Sequence, residues 1–180
     1  MTKINIKIST LFIAVSFLTS CTSFPIPSYN VSADNVKSAR KLRDKKIAFS
    51  IAPFSGNQSA MQKSFACRAA GTVSITDRRN FGQYVSDALK DELAIAEVDT
   101  TSASKQLQIN FKEINFSSHQ SKWTIDSEVN YNGKRSDVTA AESFTISFMG
   151  DNACSEIANN FPFIVKKFNS LVLQKIESDP

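Results

Sequence analysis

Between Phe81 and Ala96 the apolar residues recur at helical spacing. Phe81, Tyr84, Val85, Ala88, Leu89, Leu93 and Ala96 fall on one face, and Asp87, Lys90, Asp91 and Glu97 take the other. Asn80 precedes this stripe and Gln83 follows three residues later, the spacing of a capping box, so a helix is predicted from about Phe81 to Ala96. A second stripe, Cys154, Ile157, Ala158, Phe161, Val165, Phe168, Leu171 and Val172, predicts the last helix, with Asp151 or Asn152 as its cap. Pro162 lies inside it and has no N–H for the carbonyl of Ala158, so a kink or a split is expected there.

The strands show a period of two. Ile47, Phe49 and Ile51 alternate with small residues up to Pro53 and predict a first strand. Asn132-Gly133 is the preferred pair for a two-residue hairpin, and it sets Tyr131 against Lys134. That register places Trp123, Ile125, Val129 and Tyr131 on one face with Val138, Ala140, Phe144, Ile146 and Phe148. A four-residue loop from Ser118 to Ser121 pairs Phe116 with Trp123 and Ile114 with Ile125 on that same face. Leu107, Ile109 and Phe111 have the opposite parity, which predicts a bulge near Lys112 and Glu113. Residues 54 to 79 show no sustained period and read as a long irregular loop that Cys67 would tie down. The resulting order defines an α+β class: a mostly antiparallel sheet of about four strands with two helices packed on one face.

At its start the chain has a different pattern. Lys3 and Lys7 precede an apolar run, Ile8 to Leu18, whose eleven residues would rise about 16 Å as a helix, against a hydrocarbon core of about 30 Å. The run is too short for a permanent span and has the form of a signal peptide. Leu18-Thr19-Ser20-Cys21 closes it, and this resembles the lipobox of bacterial lipoproteins. The resemblance implies that the Cys21 thiol is alkylated by diacylglycerol, that residues 1–20 are cut away, and that the new amino terminus is acylated. Three acyl chains would anchor the protein durably, since each buried methylene contributes about 0.8 kcal/mol. Thr22 stands where an inner-membrane retention signal would have Asp, which by the same resemblance implies the outer membrane, facing the periplasm. A secretory signal with a chance cysteine and an apolar core helix are the competing readings.

Composition and charge then refine the picture. The chain has 180 residues, 42% hydrophobic and 21% charged, enough for one globular domain with a real core and inconsistent with disorder. Its formal charge is +4, and loss of Lys3 and Lys7 leaves about +2. Lys37, Arg40, Lys41, Arg43, Lys45 and Lys46 lie within ten residues, broken among themselves only by Asp44, whereas residues 47–180 carry 13 basic and 15 acidic side chains. A basic segment beside a lipid anchor can lie on anionic headgroups, and a solvated polar face is the competing reading. Residues 21–45 are therefore expected to form a lipidated terminus and an extended tether carrying this segment, and residues 46–180 a single domain.

With Cys21 committed to lipid, Cys67 and Cys154 form an even pair in an oxidising compartment, which predicts a disulfide. Closing its 88-residue loop would restrict the unfolded chain by about 4 to 5 kcal/mol on the entropic account. Two buried free thiols are the alternative. No metal site is expected, because His119 is the single histidine and zinc asks for four ligands. His119, in the tip of a predicted hairpin, reads as a solvated polar residue and not as a catalytic base. Asp87 and Asp91 read as a solvated face, and Trp123 and Tyr131 as core. No phosphate loop or nucleophile elbow is present, no cofactor is called for, and a periplasmic address removes nucleic acid as a partner.

Behind the lipobox, the order of elements over residues 46 to 176 resembles the small outer-membrane lipoproteins of the YajG type and the auxiliary lipoproteins of ABC-type transport systems. That resemblance implies a non-enzymatic accessory or scaffold protein that contacts an envelope protein complex, a lipid or the cell wall. A thiol-redox or other envelope enzyme using Cys67 and Cys154 is the competing class.

Overall fold

In the computed structural model, residues 22–179 are described apart from 69, 102–103, 118–119, 146 and 148. The signal segment, Cys21, His119, Ile146 and Phe148 lie outside the described residues. In chain order the elements are β1 (Ser23–Ile26), α1 (Ala33–Asp44), β2 (Ser50–Ile51), β3 (Ser55–Gly56), α2 (Gln58–Met61), β4 (Ser64–Cys67), β5 (Gly71–Ile75), α3 (Phe81–Ile95), β6 (Gln106–Ser117), β7 (Lys122–Tyr131), β8 (Lys134–Ser143) and α4 (Gly150–Ser178). The class is α+β, with two sheets. One has the order β1-β5-β4; the other has five strands, β2-β6-β7-β8 with β3 also on β6.

The long meander follows the predicted register. Tyr131 pairs with Lys134 across Asn132-Gly133, Phe116 with Trp123 and Ile114 with Ile125, and the register shifts between Phe111 and Glu113. Asn132 and Gly133 have φ of 51° and 78°, the left-handed pair such a turn requires. The bulge lets Leu107, Ile109, Phe111 and Ile114 all face the core despite their change of parity. Trp123, Ile125, Val129, Tyr131, Val138 and Ala140 are buried, and Phe144 is half-buried against them.

The predicted four-strand antiparallel sheet is corrected in two ways. The described residues hold eight strands, and β1–β5, β2–β6 and β3–β6 pair in parallel. The first strand expected over Ile47 to Ile51 shrinks to β2, with Ile47 and Phe49 buried ahead of it. Parallel pairing joins segments distant in sequence, so no local turn announces it.

Two segments expected to be irregular are folded. The extended tether expected over residues 21–45 is corrected within residues 22–45: Ser23 to Ile26 pair with Thr72 to Ile75, and Ala33–Asp44 is helical. Pro25 is tolerated because β1 is an edge strand. Ser32 caps α1, accepting from the Asn35 N–H, and Val36, Ala39 and Leu42 are buried beneath it. Within residues 54–79, β4 and β5 form an antiparallel hairpin in which Phe65, Cys67, Val73 and Ile75 turn inward. Gly71, with φ of +150°, closes it. A Cβ there would lie 2.0 Å from the carbonyl oxygen of Thr22, so only glycine lets the first strand approach.

There are three long helices among the described residues, not two: α3 meets β6, α4 meets β7 and β8 as well as β1 and β5, and α1 packs on α3 and α4. α3 starts with the expected capping box, Asn80 and Gln83 each bonding the other's backbone N–H at 2.8 Å. α4 begins at Gly150 with Met149 at the cap position, two or three residues earlier than an Asp151 or Asn152 cap requires, and Asp151 sits in its first turn. It runs unbroken through Pro162, because Ala158, Phe161, Ile164 and Val165 hold the segments on both sides of the proline in one core. Trp123 lies at the centre of that core, 4.8 Å from the Phe161 ring, 5.2 Å from Phe116, 5.9 Å from Phe65 and 6.0 Å from Phe81. Its indole N–H donates to the Ile157 carbonyl at 2.9 Å.

Candidate functional site

Cys67 ends β4 and Cys154 is the fifth residue of α4, and the two are joined as a disulfide with Cα atoms 5.9 Å apart. Both residues are buried, with 1% and 0% exposure. Burial of this kind shields the sulfurs from solvent and slows thiol exchange.

The six basic residues share one short helix and its end. Lys37, Arg40 and Lys41 occupy positions i, i+3 and i+4 of α1 and form one outward stripe, opposite buried Val36, Ala39 and Leu42. Arg43 is held by Asp44 at 3.0 Å and Glu97 at 3.2 Å, and Lys45 by Glu177 at 2.9 Å. Lys37, Arg40, Lys41 and Lys46 make no ion pair among the described residues, and all six side chains are exposed. Lys46, at φ of 55°, ends the run in a left-handed conformation.

Sequence reasoning missed a buried polar node around Glu92 of α3, which has 0% exposure. Its carboxylate accepts from the Tyr29 hydroxyl, the Ser32 N–H at 3.3 Å, the Asn35 amide at 3.0 and 3.1 Å and the Asn169 amide at 3.0 Å. Asn35 also donates to the Lys166 carbonyl at 2.9 Å. The node ties the segment leading into α1 to α3 and α4. Burial, together with the bond to Glu92, pushes the Tyr29 hydroxyl far above its usual range, and burial raises Tyr84, which donates to the Pro27 carbonyl at 2.7 Å. The signal was present in the phase: Glu92 continues the Val85, Ala88, Leu89 stripe, and Asn35 and Asn169 interrupt apolar stripes of their own.

Two of the surface depressions border β8. One, about 470 Å³, lies between β8 and α4 and is lined by Val138, Thr139, Leu171, Gln174 and Ser178 among others. A polar one of about 190 Å³ lies on the open sheet face between Ser55, Gln108, Asn110, Glu128, Asn130 and Arg135. Neither brings a cysteine or histidine beside a base. Asp87 pairs with Lys90 and Arg79 at the surface, and no group of three or more metal-binding side chains occurs among the described residues. None of the described helices is long and apolar enough to cross a membrane.

By sequence, no protein family matches the chain. No curated protein matches it either. Its fold is similar to that of a Xanthomonas campestris protein placed in the family DUF330, with a TM-score of 0.55 and 8% identity over 88% of this chain and 100% of that one. An uncharacterised protein gives 0.46 at 9% identity, over 86% of this chain and 97% of its own. A Caulobacter crescentus protein provisionally named a lipoprotein gives 0.35 at 10%, over 82% and 92%. At such identities the first likeness is one of fold, and the other two overlap too loosely to bear on this chain.

Proposed function

We propose that the chain is a lipid-anchored accessory or scaffold lipoprotein of the bacterial envelope, acylated at Cys21, held at the outer membrane and facing the periplasm. It is non-enzymatic, and it works by contacting an envelope protein complex or a lipid. The observation that carries this reading is the join between the lipobox and the fold. Leu18-Thr19-Ser20-Cys21 ends one residue before Thr22, whose carbonyl accepts from the Thr72 N–H at 3.0 Å as the sheet begins. An acylated Cys21 would thus hold the domain against the headgroups with no free linker between.

The buried disulfide supports a structural role for Cys67 and Cys154 over the redox alternative. A thiol reagent is expected to label neither cysteine until the protein is denatured and reduced, whereas a redox pair would label after mild reduction of the native fold. The anchor itself is tested by Cys21→Ser. The variant is expected to be released in soluble form or trapped as precursor, as read by fractionation and intact mass. If it still sediments with membranes at the normal mature mass, the lipoprotein reading is wrong.

A further inference from the structure

The lipid anchor and the basic helix stand at opposite ends of α4. Thr22 adjoins Gly71 and Thr72, four and five residues past Cys67, which is bonded to Cys154 near the start of α4. α1 follows the other half of the same helix: Asn35 bonds the Lys166 carbonyl and Lys45 pairs with Glu177. From residue 154 to residue 177 a helix rises about 35 Å. A lipid at one end therefore fixes the position of the domain and leaves its tilt open.

The charge distribution is lopsided along the same axis. Six basic residues stand at the α1 end with Asp34, Asp44 and the Glu97 and Glu177 that pair with Arg43 and Lys45, an excess of two positive charges, while the rest of residues 47–180 balances at 13 basic and 13 acidic side chains. Near an anionic plane such a molecule turns its α1 side toward the surface. The outward stripe suits a headgroup layer better than a protein partner. Protein interfaces are gripped by buried aromatic and apolar anchors, and none of the large exposed apolar side chains, Met61, Ile95, Met149 and Phe163, belongs to α1. The stripe lines neither depression beside β8.

We propose that Lys37, Arg40 and Lys41, with Lys46 beyond the helix end, form a second attachment point that binds the phosphate groups of anionic phospholipid and lays α4 along the bilayer. The proposal rests on the anchored reading above and adds an orientation to it. Each basic residue near an anionic surface strengthens binding about fivefold, so the three-residue stripe favours the lying orientation by about a hundred to one.

Lysine acylation footprinting tests it, using the full-length acylated protein reconstituted on vesicles of phosphatidylethanolamine alone or mixed with phosphatidylglycerol. On the mixed vesicles acylation of Lys37, Lys41 and Lys46 is expected to slow severalfold relative to Lys112, which lies in β6. The protection should vanish at about 1 M salt, where charges are screened beyond about 3 Å. The triple variant Lys37→Glu, Arg40→Glu, Lys41→Glu should still float with the vesicles and lose the protection of Lys46. Equal acylation rates on both vesicle types would overturn the proposal, as would a triple variant that keeps Lys46 protected. Protection found in intact cells and on neither vesicle would assign the stripe to an acidic protein and overturn it too. Failure to float with neutral vesicles would strike the anchor instead, so the two readings fail separately.

Discussion

Glu92 shows how one residue can join three elements. Every group that faces its carboxylate is a donor, from Tyr29, Ser32, Asn35 and Asn169, and no ion pair offsets its burial. A carboxylate, which only accepts, fits that ring of donors, whereas a carboxamide presents an NH₂ to one or more of them. Glu92→Gln has nearly the same shape and is expected to lower stability by about 1 to 3 kcal/mol, the cost of leaving buried donors unmatched. Chemical denaturation measures it. Hydrogen exchange should rise first around Tyr29 to Asn35, since that segment is held to α3 by these bonds. A stability equal to that of the natural chain would mean that the node is not specific for a carboxylate. Nothing in the composition marks this site, because one glutamate among 17 acidic residues is unremarkable until its helical phase is read against its neighbours.

At the scale of elements, legibility followed locality. α3 carries its own cap and a stripe of seven apolar residues, and the β6–β7–β8 meander is set by an Asn-Gly turn and a bulge, so each is specified by residues close in sequence. α1 was hidden because six basic residues around three buried apolar ones read as a charged segment rather than as a helix face. β1 and β3 were hidden because strands of two or four residues show no period, and their parallel partners lie tens of residues away. The Cys67–Cys154 pair was legible by counting, and the node around Glu92 only by contacts between elements. The register of the meander allows a sharp test. Ile125 is fully buried between Ile114 and Ala140, while neighbouring Thr124 turns to the open face. Ile125→Asp should cost about 3 kcal/mol or more by burying an unpaired charge, and Thr124→Asp should be tolerated. Equal melting temperatures for the two variants would reject that facing.

Taken as a whole, the molecule places its first described strand on a sheet that a disulfide ties to α4 and that also packs on α4 through β1 and β5. β1 rests on β5, β5 on β4, and β4 ends at Cys67, which is fixed to Cys154. Any load borne by a lipid at residue 21 therefore enters through β1 and reaches the core both by the packing of Ile26, Val73 and Ile75 and through the hairpin and this bond. Cys67→Ser and Cys154→Ser should each remove the same cross-link, costing at most about 4 to 5 kcal/mol for a loop of this length. If one bond accounts for both losses, the double variant should be little less stable than either single one, so the coupling energy should nearly equal one single cost. Urea denaturation of the three variants beside the natural chain measures this. Amide exchange over residues 22–26 and 64–75 should rise in all three while the meander stays protected, because its register depends on turns that the bond does not touch. Costs that add would instead describe two independent cysteines whose side-chain packing, not their cross-link, holds the sheet to α4.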